Sequence, residues 1–159
     1  MWKIAVLTSS DQGALGQRVD TSGAYIKDAV RDLGEVVAYQ ILPDDEKGLV
    51  TQLRAWVDAG MDLILTTGGT GLGPRDNMPE ATRRVIDREI PGMSEAMRYE
   101  SLKHTPMGML SRGVCGQKGR TLIINLPGSL KAVQELLPVI LPVLHHALMV
   151  SHGQTEHKN

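Results

Sequence analysis

The chain has 159 residues, a formal net charge of −1 and apolar residues at 42% of positions, which is ordinary for a single globular domain. With no Phe, two Trp and three Tyr, it lacks the aromatic stacking surfaces and basic faces of nucleic-acid-binding proteins. Its one cysteine, Cys115, excludes an internal disulfide and a multi-cysteine metal site.

Neither terminal region predicts export or membrane insertion. The apolar run at residues 2–7 is too short for the apolar core of a signal peptide. Residues 136–150 are apolar, but Pro138 and Pro142 interrupt them and the stretch falls short of a membrane span. We therefore expect a cytoplasmic protein that binds neither membranes nor nucleic acids.

Short continuous apolar runs, typical of strands buried on both faces of a parallel sheet, alternate with stretches of helical spacing. In chain order, the first half predicts a strand at residues 3–8, a loop at 9–20, a helix at 21–33, a strand at 36–42 and a helix from Asp45 to Gly60. The second half predicts a strand at 62–67, helices at 79–88 and 92–103, a short helix or turn at 105–112, an irregular stretch at 113–119 and a strand at 121–125. A helix at 130–151 that bends near its prolines follows, and then a frayed polar tail from His152.

This alternation predicts a doubly wound α/β domain with a largely parallel sheet. Ligands of such sheets bind beyond the carboxyl ends of the strands. Four polar segments directly follow predicted strands, at residues 8–10, 43–44, 67–76 and 127–129. We expect these segments to converge at one edge of the sheet.

The most informative stretch is the glycine-rich segment after the strand at 62–67. It contains Gly68, Gly69, Gly71 and Gly73, and Asn77 is placed to begin a helix. A strand, a glycine loop and a helix N-terminus in succession present backbone N–H groups to an anion. The Gly-Lys-Ser/Thr of a Walker loop and the GxGxxG of a dinucleotide fold are both missing. A simple tight turn is the alternative, but so many glycines favour close approach of the backbone to a ligand.

Two aspartates are candidates for holding a divalent cation beside such a ligand. Mg²⁺ usually binds through one or two carboxylates together with substrate phosphates, and Asp76 and Asp44 both follow predicted strands. The alternatives are that Asp76 only stabilises the first turn of the next helix and that Asp44 is a turn or cap residue.

Other side chains offer weaker hypotheses. The candidates for contacting phosphate are Arg75, Lys118, Arg120 and the pair Ser111-Arg112. The histidines show no metal-ligand spacing, and Cys115 is expected to be structural. The methionines between residues 78 and 109 are expected to pack in a core or a subunit interface.

Three separated motifs resemble the MogA/MoaB family of molybdenum cofactor biosynthesis proteins. They are TTGGTG, PRD and PEAT at 66–71, 74–76 and 79–82, then MLSR at 109–112 with the glycines at 116 and 119, and finally INLPGS at 124–129. The resemblance extends from Ile4 to about Leu148. It implies a three-layer α/β/α sandwich with a mostly parallel central sheet, in which residues 1–150 form one molybdopterin-binding domain and 151–159 a polar tail. It also implies a homotrimer.

Active members of that family are molybdopterin adenylyltransferases, in which the terminal phosphate of molybdopterin attacks the α-phosphate of ATP and pyrophosphate leaves. By resemblance, Asp76 and Asp44 are the catalytic and Mg²⁺-binding carboxylates. The residues implied to bind the pterin and the phosphates are Thr67, Gly68, Gly69, Thr70, Gly71, Gly73, Ser111, Arg112, Pro127, Gly128 and Ser129. MoaB-type relatives that bind molybdopterin without this activity are the alternative. Hand-over of the product to a molybdenum-insertion protein is the implied next step.

Overall fold

A six-stranded sheet forms the middle layer of the protein. A computed structural model describes residues 1–154. The strands are β1 (Trp2–Ser9), β2 (Gly34–Leu42), β3 (Leu63–Thr67), β4 (Arg88–Glu89), β5 (Cys115–Lys118) and β6 (Thr121–Leu126). Their order across the sheet is β2-β1-β3-β6-β5-β4, and the first four strands in that order are parallel. In the described sheet β5 alone points opposite to the other strands, because it pairs antiparallel with both β4 and β6, and this confirms the predicted mostly parallel α/β architecture.

Helices cover both faces of this sheet. They are α1 (Asp11–Ala14), α2 (Thr21–Ala29), α3 (Glu46–Asp58), α4 (Met78–Val85), α5 (Pro91–His104) and α6 (Leu130–Ser151), with a short 3₁₀ helix at Pro106–Leu110. Side chains alternate between the faces along each strand, so Ile4 and Val6 of β1 pack with α2, α5 and α6. Ala5 and Leu7 point the other way and pack with α3 and α4. The two resulting cores establish the predicted three layers.

The prediction of an irregular stretch at residues 113–119 is wrong, because these residues contain β5. The segment has no alternation of apolar residues that would indicate a strand, and its pairing depends on β6 lying beside it. Gly116 suits this close packing, since a Cβ atom on it would lie 2.9 Å from the backbone carbonyl oxygen of Arg88. Burial raises the pKa of the Cys115 thiol in this strand to about 11, which agrees with a structural role for the cysteine.

Three predicted boundaries need correction. The helix predicted at 21–33 ends at Ala29, because the N–H groups of Leu33 and Gly34 both turn back to the carbonyl of Val30. The helix predicted at 79–88 ends at Val85, and Arg88–Glu89 pairs with β5 instead. The loop predicted at 9–20 contains the short helix α1.

The last helix, α6, runs through Pro138 and Pro142 without interruption. By length and composition alone it meets the criterion for a membrane span, contrary to the expectation from sequence. Its apolar side chains Val133, Leu137 and Leu144 are buried against the sheet, as in the core helix of a globular protein.

The fraying predicted from His152 does not occur over residues 152–154. The imidazole Nε2 of His152 lies 2.8 Å from Oδ1 of Asp62, and its Nδ1 lies 2.9 Å from the carbonyl of Leu148. The backbone N–H of Gln154 donates to Met149, so the chain closes the end of α6. The remainder of the predicted tail lies outside the described residues.

One buried side chain, Asn125, joins four elements beside the glycine loop. Its Oδ1 accepts a hydrogen bond of 3.1 Å from the N–H of Val114, just before β5. Its Nδ2 donates to the hydroxyls of Thr66 in β3 and Thr82 in α4, at 3.0 and 2.9 Å. Asn125 is 2% exposed, so water does not replace these partners.

We predict that Asn125→Leu lowers the free energy of unfolding by roughly 1–3 kcal/mol, because the Val114 N–H loses its partner inside the protein. Urea unfolding followed by circular dichroism measures this change. The control is Gln117→Ala, since the Gln117 amide donates to the carbonyl of nearby Gly119 and lies near the surface. Equal stability of Asn125→Leu and the unaltered chain would contradict the prediction.

Candidate active site

A cavity of about 380 Å³ opens beyond the carboxyl ends of β1, β3 and β6. The residues lining it are Thr8, Ser9, Ser10, Gly13, Arg18, Val19, Asp20, Thr21, Ser22, Asp44, Thr67, Gly68, Gly69, Asp76, Gly128, Ser129 and Leu130. Each of the four polar segments that follow predicted strands contributes to this lining. The predicted convergence at one edge of the sheet is therefore confirmed.

The floor of the cavity depends on a close approach of three backbone segments at Gly68. This residue has φ +92, and a Cβ atom on it would lie 2.4 Å from the carbonyl oxygen of Ser9. From the other side, a Cβ atom on Gly128 would lie 3.3 Å from Cα of Gly68. The hydroxyl of Thr67 donates to the carbonyl of Pro127 at 2.6 Å and closes the same junction. The glycines thus serve close packing of backbone against backbone, which a simple tight turn would not require.

At Gly71 and Gly73, the lack of a side chain instead leaves space for the carboxylate of Asp76. A Cβ atom on either glycine would lie 2.9 or 2.8 Å from Oδ2 of Asp76. That oxygen accepts a 2.8 Å hydrogen bond from the N–H of Gly73, while Asp76 also lines the cavity. The carboxylate is therefore turned back into the loop. The alternative in which Asp76 only stabilises the start of α4 is not what the structure shows.

The second predicted carboxylate, Asp44, is held by the segment after β1. Its Oδ1 accepts from the hydroxyl of Ser9 at 2.5 Å, and its Oδ2 accepts from the N–H of Asp11 at 3.1 Å. Asp11 in turn accepts the N–H of Asp44 at 2.9 Å. Asp44 does not cap α3, because the Asp45 side chain accepts from Gly48 and fills that position.

Arg75 supports this arrangement rather than facing the cavity. Its guanidinium forms a two-pronged ion pair with Asp11, with Nε–Oδ2 and Nη2–Oδ1 distances of 3.1 and 2.8 Å. The Arg75 guanidinium, followed by the hydrogen bond from Asp44, lowers the pKa of the Asp11 carboxyl below its usual range. Asp11 therefore stays ionised and keeps the Arg75 charge paired.

Asp20 is a site residue that the sequence reasoning missed. Its Oδ2 accepts from the hydroxyls of Thr8, at 2.6 Å, and of Tyr39, while its Oδ1 accepts from the N–H of Gly23 at 2.9 Å. Burial, and then the Asp20 carboxylate, raise the pKa of the Tyr39 hydroxyl well above its usual value. The signal available in the sequence was an aspartate placed as the N-cap of α2, where a structural role is the usual explanation.

Ser111 and Arg112 lie outside this cavity. The Arg112 guanidinium donates to the carbonyls of Gly71 and Asp76 at 2.7 and 2.8 Å, and to Oε1 of Glu80 at 2.5 Å. A separate cleft of about 480 Å³ on the far side of the loop is lined by Pro79, Glu80, Arg83, Arg98, Ser111, Arg112 and Gly113. Arg112 holds the glycine loop from behind, because its fixed set of donors matches the exposed carbonyls of that loop.

The remaining predicted binding residues also include several that lie away from the cavity. Thr70, Gly71, Gly73 and Pro127 shape the loop and the turn without lining the cavity. Lys118 pairs with Asp87 at 2.9 Å near the far edge of the sheet. The methionines differ in exposure, since Met93 and Met97 are buried whereas Met107 and Met109 are 65% and 68% exposed.

The cavity suits an anionic ligand accompanied by a divalent cation. Helices α2 and α6 both begin at its wall, where the helix dipole favours negative charge. At α2 the Asp20 carboxylate already accepts from the N–H of Gly23, so the start of α6 is the more available of the two. Within residues 1–154, no group of three or more His, Cys, Asp and Glu side chains is arranged to hold a metal. Asp44 and Asp76 nevertheless fit Mg²⁺, since that ion needs only one or two carboxylates when phosphates and water complete its coordination.

Known proteins are similar to this chain over most of its length. The family described as "Probable molybdopterin binding domain" matches residues 5–146. A molybdopterin adenylyltransferase of Helicobacter pylori is 35% identical over 163 residues, covering 98% of this chain and 93% of that protein. Gephyrin of Dictyostelium discoideum is 40% identical over 158 residues, covering 92% of this chain. The chain spans only 22% of the length of that gephyrin and 24% of the length of the protein cinnamon of Drosophila melanogaster.

Solved structures show the same similarity over the whole fold. MoaB of Thermus thermophilus has a TM-score of 0.90 and 51% identity, covering 96% of this chain and 98% of that chain. The Mog protein of Mycobacterium ulcerans also has a TM-score of 0.90, with 38% identity and the same two coverages.

We predict that Gly68→Ala lowers the free energy of unfolding by more than about 2 kcal/mol and distorts the cavity, because a positive φ and a backbone clash act together. Gly60→Ala is the matched control. Gly60 has φ +81, and no described atom lies within 4 Å of the position that its Cβ would occupy. That variant should lose only the about 1–2 kcal/mol of backbone strain. Denaturant unfolding compares the two variants, and equal losses would refute the close approach at Gly68.

Proposed function

This chain belongs to the molybdopterin-binding domain family, and on that basis we propose that it is a molybdopterin adenylyltransferase acting with Mg²⁺ and ATP. The observation that carries the proposal is that Asp44 and Asp76 line one cavity together with the glycine loop. Two carboxylates beside a phosphate-binding loop are the groups that a phosphate transfer needs. The adenylyltransferase from Helicobacter pylori matches this chain across nearly its full length, which supports the same assignment.

The reaction needs no covalent protein intermediate. An oxygen of the terminal phosphate of molybdopterin forms a bond to the α-phosphorus of ATP, and the bond from that phosphorus to pyrophosphate breaks. Such a transfer is accelerated mainly by alignment of the two phosphates and by neutralisation of their charge. Asp44 and Asp76 would hold Mg²⁺, which would supply part of that neutralisation.

The residues of the chain carry out the alignment. The backbone N–H of Gly69 and the N–H groups at the start of α6 bind phosphate oxygens. The N–H of Gly68 already donates to the carbonyl of Leu126, so Gly68 shapes the loop. Asp76 and Asp44 would hold the cation and orient the nucleotide. Their own positions are maintained by Gly73, Ser9 and Asp11. Ser111 lines the separate cleft on the far side of the loop, and its predicted contact with the ligand requires a ligand that extends beyond the main cavity.

The second candidate is a MoaB-type protein that binds molybdopterin without adenylylating it. The presence of both carboxylates in the cavity favours the enzyme, because binding alone does not require a magnesium site. Incubation with molybdopterin, ATP and Mg²⁺ decides between them. Formation of pyrophosphate and adenylylated pterin supports the enzyme, whereas tight pterin binding with neither product supports the binding protein.

We further propose that residues 1–150 act as one molybdopterin-binding domain in the cytoplasm, followed by a polar tail at 151–159. The product passes to a molybdenum-insertion protein. Support for hand-over comes from longer relatives such as the "Molybdenum cofactor biosynthesis bifunctional protein" of Chlorobaculum tepidum, of which this chain spans 49%.

We predict that Asp76→Asn lowers the rate of adenylyl transfer at least about a hundredfold while pterin binding persists. The amide oxygen of Asn still accepts from Gly73, so the loop keeps its shape, but the negative charge for Mg²⁺ is lost. The control Asp45→Asn removes the same charge beside Asp44 and retains an equally good N-cap. Chelation of Mg²⁺ should reduce the unaltered chain to the same level. Full activity of Asp76→Asn, or loss of pterin binding in parallel, contradicts the assigned role.

We predict a homotrimer, held in part by the exposed apolar side chains Leu102, Met107, Met109 and Leu110. Light scattering should give three times the 17.3 kDa mass of one chain. Met109→Glu should shift the mass toward one chain, since a buried charge opposes association. The control Val37→Glu, on β2 at the far side of the sheet, should leave the mass unchanged. A monomeric unaltered chain would exclude the trimer.

A further inference from the structure

Arg18 is the one cationic side chain among residues 1–154 that lines the cavity. The acidic residues of that lining are Asp20, Asp44 and Asp76. An anionic ligand entering this space meets three carboxylates, so a positive charge on the wall strongly affects its binding.

The other arginines near the glycine loop have their charges paired. Arg75 is paired with Asp11 through two contacts, and Arg112 is paired with Glu80 and with loop carbonyls. Arg18, in contrast, has no ion pair and no side-chain hydrogen bond in the described part of the chain, and it is exposed. Its guanidinium therefore retains all its donors for a ligand.

Hydrogen bonds fix the backbone on each side of Arg18, so the residue does not belong to a freely moving loop. Before it, the N–H of Gly16 donates to Gly13 at 3.1 Å and the N–H of Gln17 donates to Gln12 at 2.9 Å. After it, the carboxylate of Asp20 is held by donors from three separate elements. These bonds place the Arg18 side chain at the cavity wall.

We propose that Arg18 is a catalytic residue that binds a phosphoryl group of the reacting ligands through its guanidinium. This inference rests on the proposed adenylyl transfer and adds to it a residue outside the glycine loop. As the bond between the α-phosphorus and pyrophosphate breaks, its electron pair passes to the leaving oxygen, and an arginine fork neutralises such charge on phosphate oxygens. The group that Arg18 contacts is a phosphoryl oxygen, and that oxygen belongs either to the nucleotide or to the pterin.

The test compares Arg18→Met, Arg18→Lys and the control Arg120→Met. Arg120 is also exposed, and it lies immediately before β6, at the edge of the sheet opposite the cavity. Calorimetry measures the Kd of Mg²⁺-ATP and of pyrophosphate, and a separate titration measures the Kd of molybdopterin. Adenylyl transfer is measured for each protein, and thermal unfolding checks that all of them fold.

We expect Arg18→Met to weaken binding of the contacted ligand roughly tenfold to a hundredfold, as for other hydrogen bonds to charged groups. Weaker ATP and pyrophosphate binding assigns Arg18 to the nucleotide, and weaker molybdopterin binding assigns it to the pterin phosphate. Arg18→Lys should recover part of the loss, because it keeps the charge without the planar fork. Binding of the affected ligand to Arg18→Met should also depend less on salt concentration.

The outcomes separate this inference from the proposed function. Unchanged Kd values and rate in Arg18→Met, with an active unaltered chain, overturn the role of Arg18 and leave the transferase intact. Arg18-dependent phosphate binding in an unaltered chain that forms no adenylylated pterin supports the contact of Arg18 with phosphate, but it overturns the transferase and with it a catalytic role for Arg18. An unaltered chain that binds none of the three ligands overturns both. Losses of the same size in Arg120→Met would also overturn the inference, since they would reflect general surface charge.

Discussion

The contact of three backbone segments at Gly68 is the constraint on which the site depends. Neighbouring parallel strands lie close enough that the residues after β1, β3 and β6 meet at one point. At that point the Ser9 carbonyl occupies the space of a missing Cβ, and Gly128 approaches from the opposite side. A side chain at Gly68 would push the three loops apart. The cavity, the carboxylates beside it and the starts of α2 and α6 all take their positions from this junction.

A second level of organisation holds the charged groups in place before any ligand arrives. The Asp44 carboxylate is fixed by Ser9 and Asp11, and the Asp76 carboxylate is fixed by Gly73. Arg112 ties the outer face of the loop to Glu80, so the loop is supported from behind as well. Polar groups that are already oriented need little reorganisation during a reaction, which is the main advantage that a folded site has over water.

The order of the elements in the fold explains how distant parts of the sequence share this task. The chain leaves the sheet at the same edge after each parallel strand, and each exit supplies a different chemical group: a hydroxyl after β1, a carboxylate after β2, a glycine loop after β3 and a helix start after β6. Relatives in which the same domain forms a minor part of a longer chain fit this picture, because the site is built within the domain itself.

The sequence by itself determined the alternation of strands and helices, the glycine loop and the two aspartates, since each depends on local patterns of apolar, glycine and acidic residues. It did not determine β5, whose pairing depends on β6 rather than on its own composition. Only the tertiary structure showed that Arg75 and Arg112 are paired while Arg18 has no partner among residues 1–154, and that Asp20 joins Thr8 to Tyr39. The physical reason is that residue type indicates what a side chain can bind. The partners that it meets are decided by segments far apart in the chain, which become neighbours only when the sheet forms.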